Sequence, residues 1–419
     1  MPAETFIRVM IWFAYLISLY FVVFWLLVLF EGKKQEPKKK LKTLPIVTIA
    51  IPSYNEEKRI KATLTDILKL DYPINKLEFI VVNDGSKDKT KEITEKIIKE
   101  NKKFNITLIN QKNKGKGAAL NAALKRAKGE FFVCLDADSF VEKTALKTIL
   151  PYFTEDNIAC VLPVMKVRKP KNLLQRMQWF EYIINMFYKE LMSRLNCIHV
   201  APGPFSVYKT DIIKNVGSFD ENFNLTEDLE MALRLQSKHY RIIQLLEGQV
   251  TTIAPQSLRS LYRQRNRWYK GSIHNAFKYR KMIFNKNYGD FGMIQMPLIL
   301  VGGILSIIII GAMAYYNFWL PMRSINQLKY VNFDLVTLIR NFNIDFHLLD
   351  INFASILTAI IMLVLSIYIF VRSHKHTKEN VNKYSKLSIL IYLIGYFMLL
   401  GIIWVGILFE MAIGKKQRW

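Results

Sequence analysis

The sequence predicts an α/β domain, with a mostly parallel β-sheet covered by helices on both faces, inserted between transmembrane helices. Three observations support this prediction. Between residues 45 and 250, short β-branched runs alternate with helical patterns. Hydrophobic residues make up 51% of the 419 residues and gather in long uninterrupted apolar runs. A strongly basic segment follows the first of these runs.

The predicted organisation has four parts along the chain. They are a transmembrane helix with a basic linker (1–44), the α/β domain (45–250), an interfacial amphipathic segment (251–290) and a C-terminal transmembrane region of about three helices (291–419). Each apolar run can cross a hydrocarbon core of ~30 Å. The runs cover residues 7–30, 293–315, 353–371 and 387–408. The first is expected to be retained, because no Lys or Arg precedes it and no small-residue cleavage site ends it.

The basic segments predict the orientation of these spans. Residues 31–42 hold six Lys against two Glu, which by the positive-inside rule places the α/β domain in the cytoplasm. Loop 317–350 is then outside, and residues 372–386, with five Lys or Arg, return inside. Four spans would leave the tail, residues 414–419, outside with three cations, which conflicts with the same rule.

The net charge of +25 does not indicate nucleic-acid binding, because the cations concentrate beside apolar spans, where they attract anionic lipid. The spans are nearly free of ionisable residues, which argues against a channel or transporter. Three cysteines, Cys134, Cys160 and Cys197, show no paired spacing and fit a reducing cytoplasm.

Polar residues follow each predicted strand of the α/β domain. The strands are Ile46–Ile51, Leu77–Val82, Ile106–Ile109 and Phe131–Leu135. Ligands of open α/β sheets bind at the carboxyl ends of strands, so the polar residues should border one crevice. They include Tyr54, Glu56, Asp84, Asp136 and Asp138.

Two of these groups fit a nucleotide. Asp84 is followed by Gly85 and Ser86, which is compatible with a plain turn or with an acceptor for a base or ribose. The loop Lys114–Gly117 precedes a helical pattern and could present cations and backbone donors to phosphate. It lacks the terminal Ser or Thr of a P-loop, which argues against ATP hydrolysis.

Asp136 and Asp138 end a buried strand, where two carboxylates are costly unless a cation neutralises them. Mg²⁺ or Mn²⁺ would do so, with substrate phosphates completing the shell. The alternative is a solvated loop. An EF-hand is excluded, because the third ligand and the terminal Glu are missing.

Two later motifs carry alternative structural interpretations. Thr226–Asp228 opens a helix, and Thr226 could be only its cap. Gln264–Trp268 lies in a basic, aromatic stretch that is also typical of an interfacial amphipathic helix. A second amphipathic stretch, Leu173–Leu195, could lie on the inner leaflet or be a plain core helix.

The order Asp84, Asp136-Ala137-Asp138, Thr226-Glu227-Asp228 and Gln264-Arg265-Asn266-Arg267-Trp268 resembles the membrane-embedded family 2 glycosyltransferases. That group includes cellulose, hyaluronan, chitin and poly-N-acetylglucosamine synthases, and the resemblance covers about residues 45–281. It implies a GT-A type nucleotide-sugar-binding domain, a UDP-sugar donor, inverting transfer and Mg²⁺ or Mn²⁺. The chain departs from cellulose synthases at the acceptor segment, His199–Ser206, where they have Phe-Phe-Cys-Gly-Ser.

The resemblance also implies residue roles. The catalytic residues would be Asp228 as general base, Glu227 and Arg267. The donor would contact Pro52, Tyr54, Glu56, Asp84, Lys116, Asp136, Gln264 and Arg267. The acceptor would contact Trp268, Gly203 and Asp228, and the metal Asp136 and Asp138.

The expected function is processive synthesis of a β-glycan, coupled to export across the cell membrane. The alternative is a single transfer onto a polyprenyl phosphate or glycolipid. Expected partners are a UDP-sugar, a glycan or lipid-linked acceptor, membrane lipids and either a second copy or an accessory membrane subunit. No nucleic acid is expected.

Overall fold

The computed structural model describes residues 2–32, 37–222, 225–327 and 353–414. Parts of three segments discussed above therefore lie outside the described residues. These are 33–36 of the basic linker, 328–350 of the predicted outer loop and 415–419 of the tail.

A seven-stranded sheet forms the centre of the α/β domain, with strand order β3-β2-β1-β4-β8-β6-β9. Its strands are β1 Val47–Ser53, β2 Leu77–Asp84, β3 Asn105–Gln111, β4 Phe131–Cys134, β6 Ile158–Leu162, β8 Ser206–Lys209 and β9 Arg241–Gln244. Only β8 runs antiparallel to its neighbours in this sheet. A small second sheet has the order β5-β10-β7, with β5 Ser139–Val141, β7 Met165–Val167 and β10 Val250–Thr252. The predicted mostly parallel sheet is confirmed.

Helices cover both faces of this sheet and continue into the apolar region. Within the domain they are α2 Ile60–Ile67, α3 Thr90–Glu100, α4 Lys116–Arg126, α5 Ala145–Ile149, α6 Leu173–Arg194, α7 Thr210–Asn215, α8 Glu227–Ser237 and α9 Leu258–Lys278. The apolar elements are α1 Pro2–Phe30, α10 Met296–Ala314, α11 Leu320–Gln327, α12 Phe353–His376, α13 Lys386–Ile391 and α14 Phe397–Ala412. A π-helical turn joins α13 to α14, and the continuous helix Lys386–Ala412 is called the C-terminal helix below.

The alternation of side chains along β1 produces two separate core layers. Ile49 and Ile51 pack in the layer that holds Ile60 and Leu64 of α2, whereas Ala50 packs on the opposite face in the layer that holds Leu120 of α4. All six are at least 99% buried. Burying each of the larger side chains stabilises the fold by about 1.5–3 kcal/mol, so this alternation fixes the register of β1 and the position of its carboxyl end.

Four helices are long and apolar enough to cross a membrane, judged by length and composition: Thr5–Phe30, Phe291–Ala314, Ile356–His376 and Lys386–Ala412. They match the four predicted spans to within a few residues. These helices make the chain a membrane protein.

α6 lies between the domain and the apolar helices. Its Trp179 and Phe180 are buried with Phe370 of α12 and Tyr392 of the C-terminal helix, and its Phe187 is buried with Trp25 of α1. Of the two interpretations of residues 173–195, the structure therefore favours a packed core helix.

Candidate active site

The carboxyl ends of β1, β2 and β4 border a cleft of about 580 Å³. Its lining includes six of the residues predicted on the donor side of the site, together with Arg267 from α9. Those six are Pro52, Tyr54, Glu56, Asp84, Lys116 and Asp136. Asp138 lines the same cleft. The convergence expected from the strand ends is thus present in the structure.

A smaller cavity of about 150 Å³ adjoins this cleft. Its lining includes four residues predicted for catalysis or for the acceptor, which are Gly203, Glu227, Asp228 and Trp268. Gln264, which was predicted to contact the donor, lines this smaller cavity and not the larger cleft. The two spaces share four lining residues, which are Lys116, Asp136, Asp138 and Arg267. A reacting group at this junction would face both spaces at once. Every sequence-predicted site residue lines at least one of them.

Asp84 holds the loop that begins α4. Its Oδ1 accepts hydrogen bonds from the side chain of Gln111 (2.7 Å) and the backbone N–H of Lys114 (3.0 Å), and its Oδ2 accepts from the N–H of Gly115 (2.8 Å). Gly115 has φ of +89°, which favours glycine. The carboxylate thus shapes the loop, in addition to lining the cleft where a base or ribose contact was predicted.

Lys116 lies between two carboxylates at the junction. Its Nζ is 2.7 Å from Asp136 Oδ1 and 2.8 Å from Glu227 Oε1. Burial alone would lower the pKa of Lys116, but the negative charges of Asp136, Glu227 and Asp228 outweigh it and hold the pKa well above its ordinary value. Lys116 is therefore a permanent cation beside the predicted metal ligand.

A second charged group lies at the outer side of the junction. Arg59 Nη1 is 3.4 Å from Glu56 Oε2 and 3.9 Å from Asp138 Oδ2. Burial, followed by the charge of Asp136, raises the pKa of Asp138. Burial also raises the pKa of Glu56 to about 7, against the opposing charge of Arg59. Burial is the main cause of both raised pKa values, so the ionised forms of Glu56 and Asp138 are disfavoured here.

This donor set fits a divalent cation in part. Asp136 and Asp138 offer hard oxygen ligands. Burial and then the charge of Asp136 raise the pKa of Asp138, and an added cation would favour its ionised form. Among the described residues there is no cluster of three or more His, Cys, Asp or Glu side chains that could hold a metal. Any such ion would need substrate oxygens or water to complete its coordination.

Asp228 lies in the first turn of α8, beside the small cavity. The alternative role of Thr226 as a side-chain cap is not realised, because Thr226 makes no capping hydrogen bond. Instead its hydroxyl accepts a hydrogen bond from Asn275 of α9 (3.1 Å), and it packs against Gly271, where a Cβ would lie 2.5 Å from the Thr226 methyl carbon. Burial, followed by the neighbouring charge of Glu227, raises the pKa of Asp228.

α9 supplies three of the residues that line the smaller cavity. Ser257 begins the helix with a reciprocal capping box to Ser260. Gln264, Arg267 and Trp268, three and four residues apart, then face the cavity on one side of the helix. The Oε1 of Gln264 is buried and has no hydrogen-bond partner among the described residues, so a ligand donor could satisfy it.

Some residues of the site escaped the sequence analysis. Arg59, Asn113 and Tyr182 line the site or contact its carboxylates, yet each lies outside the motifs. Arg59 had the strongest signal, since it follows the polar end of β1. Tyr182 could not be found, because its place in the smaller cavity depends on how α6 and α9 are arranged in the fold.

Comparisons with known proteins agree with this geometry. The family model described as glycosyl transferase family 2 matches residues 48–217, a range that ends before α8 and α9. The chain is 32% identical over 240 residues to a poly-beta-1,6-N-acetyl-D-glucosamine synthase of Staphylococcus aureus (strain COL), covering 57% of each protein. It is 30% identical over 228 residues to the synthase of the same name from Staphylococcus epidermidis, covering 54% of each. The match thus spans little more than half the length of these relatives.

A solved structure shares the fold. The mannosyltransferase PcManGT from Pyrobaculum calidifontis, in complex with GDP-Man and Mn²⁺, superimposes with a TM-score of 0.61 at 20% sequence identity, over 74% of this chain and 86% of that one. The predicted GT-A type architecture is confirmed. Residues 48–217 therefore match the glycosyl transferase family 2 model within a GT-A-like fold, which apolar helices long enough to cross a membrane flank.

Proposed function

We propose that the chain is a membrane-bound, processive, inverting glycosyltransferase that adds sugars from a UDP-sugar to the growing end of a β-glycan. The observation that carries this proposal is the junction between the two spaces. The larger cleft has the volume and charge for a nucleotide sugar, and the smaller one holds a carboxylate and an aromatic ring beside it. The sugar carbon under attack would lie where they meet.

The donor occupies the larger cleft in this proposal. The loop held by Asp84 presents the start of α4, whose backbone N–H groups and positive dipole end favour a diphosphate. Lys116 and Arg267 add two cations at the junction. Both stabilise the negative charge that develops on the departing diphosphate, which lowers the barrier for breaking the sugar–phosphate bond.

Asp228 is the proposed general base. A neutral sugar hydroxyl is a weak nucleophile, so a carboxylate that takes its proton speeds the attack. The acceptor oxygen forms the new glycosidic bond as the bond to the diphosphate breaks, and UDP leaves with the electron pair. A single displacement inverts the anomeric centre and needs no covalent enzyme intermediate.

The acceptor end binds in the smaller cavity. Trp268 offers an apolar ring face to the terminal sugar, and Gln264 offers a buried acceptor atom for a sugar hydroxyl. Asp136 and Asp138 would hold Mg²⁺ or Mn²⁺, which when bound supplies positive charge to the diphosphate oxygens.

The names of the relatives suggest the sugar. Both are synthases of a poly-N-acetylglucosamine, which makes UDP-N-acetylglucosamine the first donor to test. We further propose that the protein is a multi-pass cell-membrane enzyme whose catalytic domain is cytoplasmic, where UDP-sugars are available. A second copy or an accessory membrane subunit would complete the export path.

The test is to incubate the purified full-length protein with radiolabelled UDP-sugars and Mg²⁺ and to measure the size of the product. The proposal expects a water-soluble product whose length increases with time from UDP-N-acetylglucosamine. A product that is a single sugar on a lipid, extractable into organic solvent, would contradict the processive proposal and support the one-step transferase. Absence of transfer from every UDP-sugar would overturn both.

A further inference from the structure

A buried charged cluster lies behind Trp268, outside the cavity lining. The guanidinium carbon of Arg265 is 4.4 Å from the centre of the Trp268 ring, and Arg265 is only 4% exposed. Its Nη2 is 2.6 Å from Glu181 Oε2 on α6. The hydroxyl of Tyr396, on the C-terminal helix, donates a hydrogen bond to the same carboxylate oxygen at 2.7 Å.

The positions of Arg265 and Trp268 on α9 explain why their side chains meet. Arg265 and Trp268 are three residues apart, which brings their side chains together on the helix surface. A planar guanidinium can stack on an aromatic ring while it pairs with a carboxylate in its own plane, which an ammonium group cannot do equally well. Trp268 therefore has a guanidinium over one ring face, and the ring borders the acceptor cavity.

The cluster also joins three separate elements. α9 supplies Arg265, α6 supplies Glu181 and the C-terminal helix supplies Tyr396. A buried guanidinium is tolerated only when it is paired, so each partner constrains the position of the others. A change at Tyr396 of the C-terminal helix would reach Trp268 through three contacts, which are Tyr396 with Glu181, Glu181 with Arg265, and Arg265 with Trp268.

We propose that Arg265, held by Glu181 and Tyr396, is a positioning residue that fixes the orientation of the Trp268 ring for the acceptor sugar. This inference rests on the proposed function, because it assumes that Trp268 stacks on an acceptor. None of the three residues is among those that line the donor cleft in the described structure. Their loss should therefore affect acceptor binding and leave donor binding intact.

The sharpest test removes one hydroxyl. Tyr396→Phe deletes the hydrogen bond to Glu181 and keeps the ring, whereas Tyr392→Phe changes a tyrosine one turn earlier that packs beside it at 5.6 Å and does not bond Glu181 in the described structure. Losing a hydrogen bond to a charged group should raise the KM for a short glycan acceptor by about tenfold in Tyr396→Phe, with kcat nearly unchanged. Tyr392→Phe should match the wild type.

A second pair of variants separates positioning from folding. Arg265→Lys keeps a cation opposite Glu181 but loses the planar group, so the protein should fold and bind UDP while the acceptor KM stays high. Arg265→Gln should raise the acceptor KM at least as much and lower the thermal midpoint. If Arg265→Lys restores a normal acceptor KM, the stacking role is wrong. If Tyr396→Phe and Tyr392→Phe behave alike, the link to the C-terminal helix is wrong.

Hydrolysis of the UDP-sugar and binding of UDP, measured on the same preparations, distinguish this inference from the proposed function. A wild-type protein that neither binds UDP nor uses a UDP-sugar contradicts the function itself. Normal donor use with unaltered acceptor KM in every variant contradicts only the positioning role.

A different observation supports a second inference, about the path of the C-terminal helix. Near its end, Glu410 Oε2 accepts hydrogen bonds from Asn266 Nδ2 (2.6 Å) and Lys270 Nζ (3.1 Å), both on α9. Arg267 and Trp268, between these two residues, line the active site. The end of the helix is therefore on the catalytic side.

The beginning of the helix is on that side as well. Just before it, the Tyr384 ring lies 4.9 Å from Trp179 of α6, and the Lys383 ammonium lies 5.3 Å above the same ring. Gln178, next to Trp179, donates a hydrogen bond to the carbonyl of Pro255, just ahead of α9. Both ends of the helix thus contact the helices that flank the site.

The middle of the C-terminal helix also packs against α6 and α9. A buried stripe runs along it and packs on α6 and α9, whereas the opposite face is apolar and exposed. The stripe is Ser388, Tyr392, Tyr396, Ile403 and Ile407. The helix neighbours α10 at two points, with Gly401 beside Ile310 and Trp404 beside Gly303.

We infer that the C-terminal helix does not cross the membrane: it lies in the cytoplasmic leaflet along α6 and α9, with its exposed apolar face against lipid. In this proposal three of the four helices that are long and apolar enough to cross a membrane do so. Gly414, the last described residue, then lies inside, the side on which the positive-inside rule favours the three cations of residues 414–419. The helix stays on this side because Glu410 holds its end against α9 and the buried stripe packs along its length.

Labelling with a membrane-impermeant maleimide tests this path. Gly414→Cys should react in inside-out vesicles together with Lys96→Cys, whose side chain is 75% exposed on α3. Met322→Cys, 58% exposed after the second span, should react in right-side-out vesicles. The native cysteines Cys134, Cys160 and Cys197 are buried, so the unmodified protein sets the background. Reaction of Gly414→Cys together with Met322→Cys would restore the four-span topology.

Discussion

At the scale of single residues, Asp228 is the group on which the chemistry depends. It borders the acceptor cavity but is not one of the residues shared with the donor cleft. Asp228→Asn keeps the size of the side chain and removes the base. We expect turnover to fall by about two to four orders of magnitude, the range for a lost general base, while UDP affinity changes little. Near-normal turnover in this variant would mean that another residue is the general base.

The pH dependence of the reaction should report the same carboxylate. Burial, followed by the charge of Glu227, raises the pKa of Asp228 above its ordinary value. A base works when ionised, so activity is present above this raised pKa and is lost as the pH falls through it. We expect the acid limb of kcat/KM well above the ordinary aspartate range of about 3.9. A limb that ends near pH 4 would contradict this assignment.

Asp138 belongs to the donor side and should have a different phenotype. Asp138→Ala removes one of the two proposed metal ligands, so UDP should no longer bind measurably when Mg²⁺ is present. Titration calorimetry with and without a chelator measures this directly. Equal UDP affinity in wild type and variant under both conditions would rule out a metal on this residue.

At the scale of elements, the sequence predicts strands better than the contacts between helices. The alternation of side chains along β1 and the apolar runs of β2 and β4 are local sequence patterns that suffice to predict these strands, and the structure confirms the strands. The polar residues at the carboxyl ends of these strands can then be predicted to lie together, because parallel strands end at the same edge of a sheet. The place of Tyr182 and the link from Glu181 to Arg265 depend on how α6 meets α9, which no local pattern records.

The loop between α6 and β8 offers a test at this scale. A Cβ on Gly203 would lie 2.7 Å from Asp136 Oδ1 and would also overlap Lys116. Gly203→Ala should therefore displace both side chains at the junction and lower turnover by about tenfold or more, since a shift of about 1 Å in a site can cost a hundredfold. Gly311→Ala, on α10 with open space around it, is the control and should be silent. Equal activity of the two variants would mean that the loop adapts.

At the scale of the whole molecule, the sequence predicts the four apolar helices, since length and composition suffice for that. The side on which the last helix ends depends on the hydrogen bonds that Asn266 and Lys270 donate to Glu410, about 140 residues further along the chain. Apolar residues alone fit a span and an in-plane helix equally well. A single carboxylate near the helix end, paired with α9, distinguishes them.

The central claim is that donor and acceptor occupy two joined spaces and that the product is a polymer. Trp268 touches only the acceptor space, whereas Arg267 lines both. The most direct measurement compares product length and UDP-sugar hydrolysis in Trp268→Ala and Arg267→Ala. Trp268→Ala should shorten or abolish the polymer and retain slow hydrolysis to UDP and free sugar, because stacking helps only an acceptor that ends in a sugar. Arg267→Ala should depress both activities. A Trp268→Ala enzyme that makes full-length polymer, or a wild-type product that never grows beyond one sugar, would contradict the account.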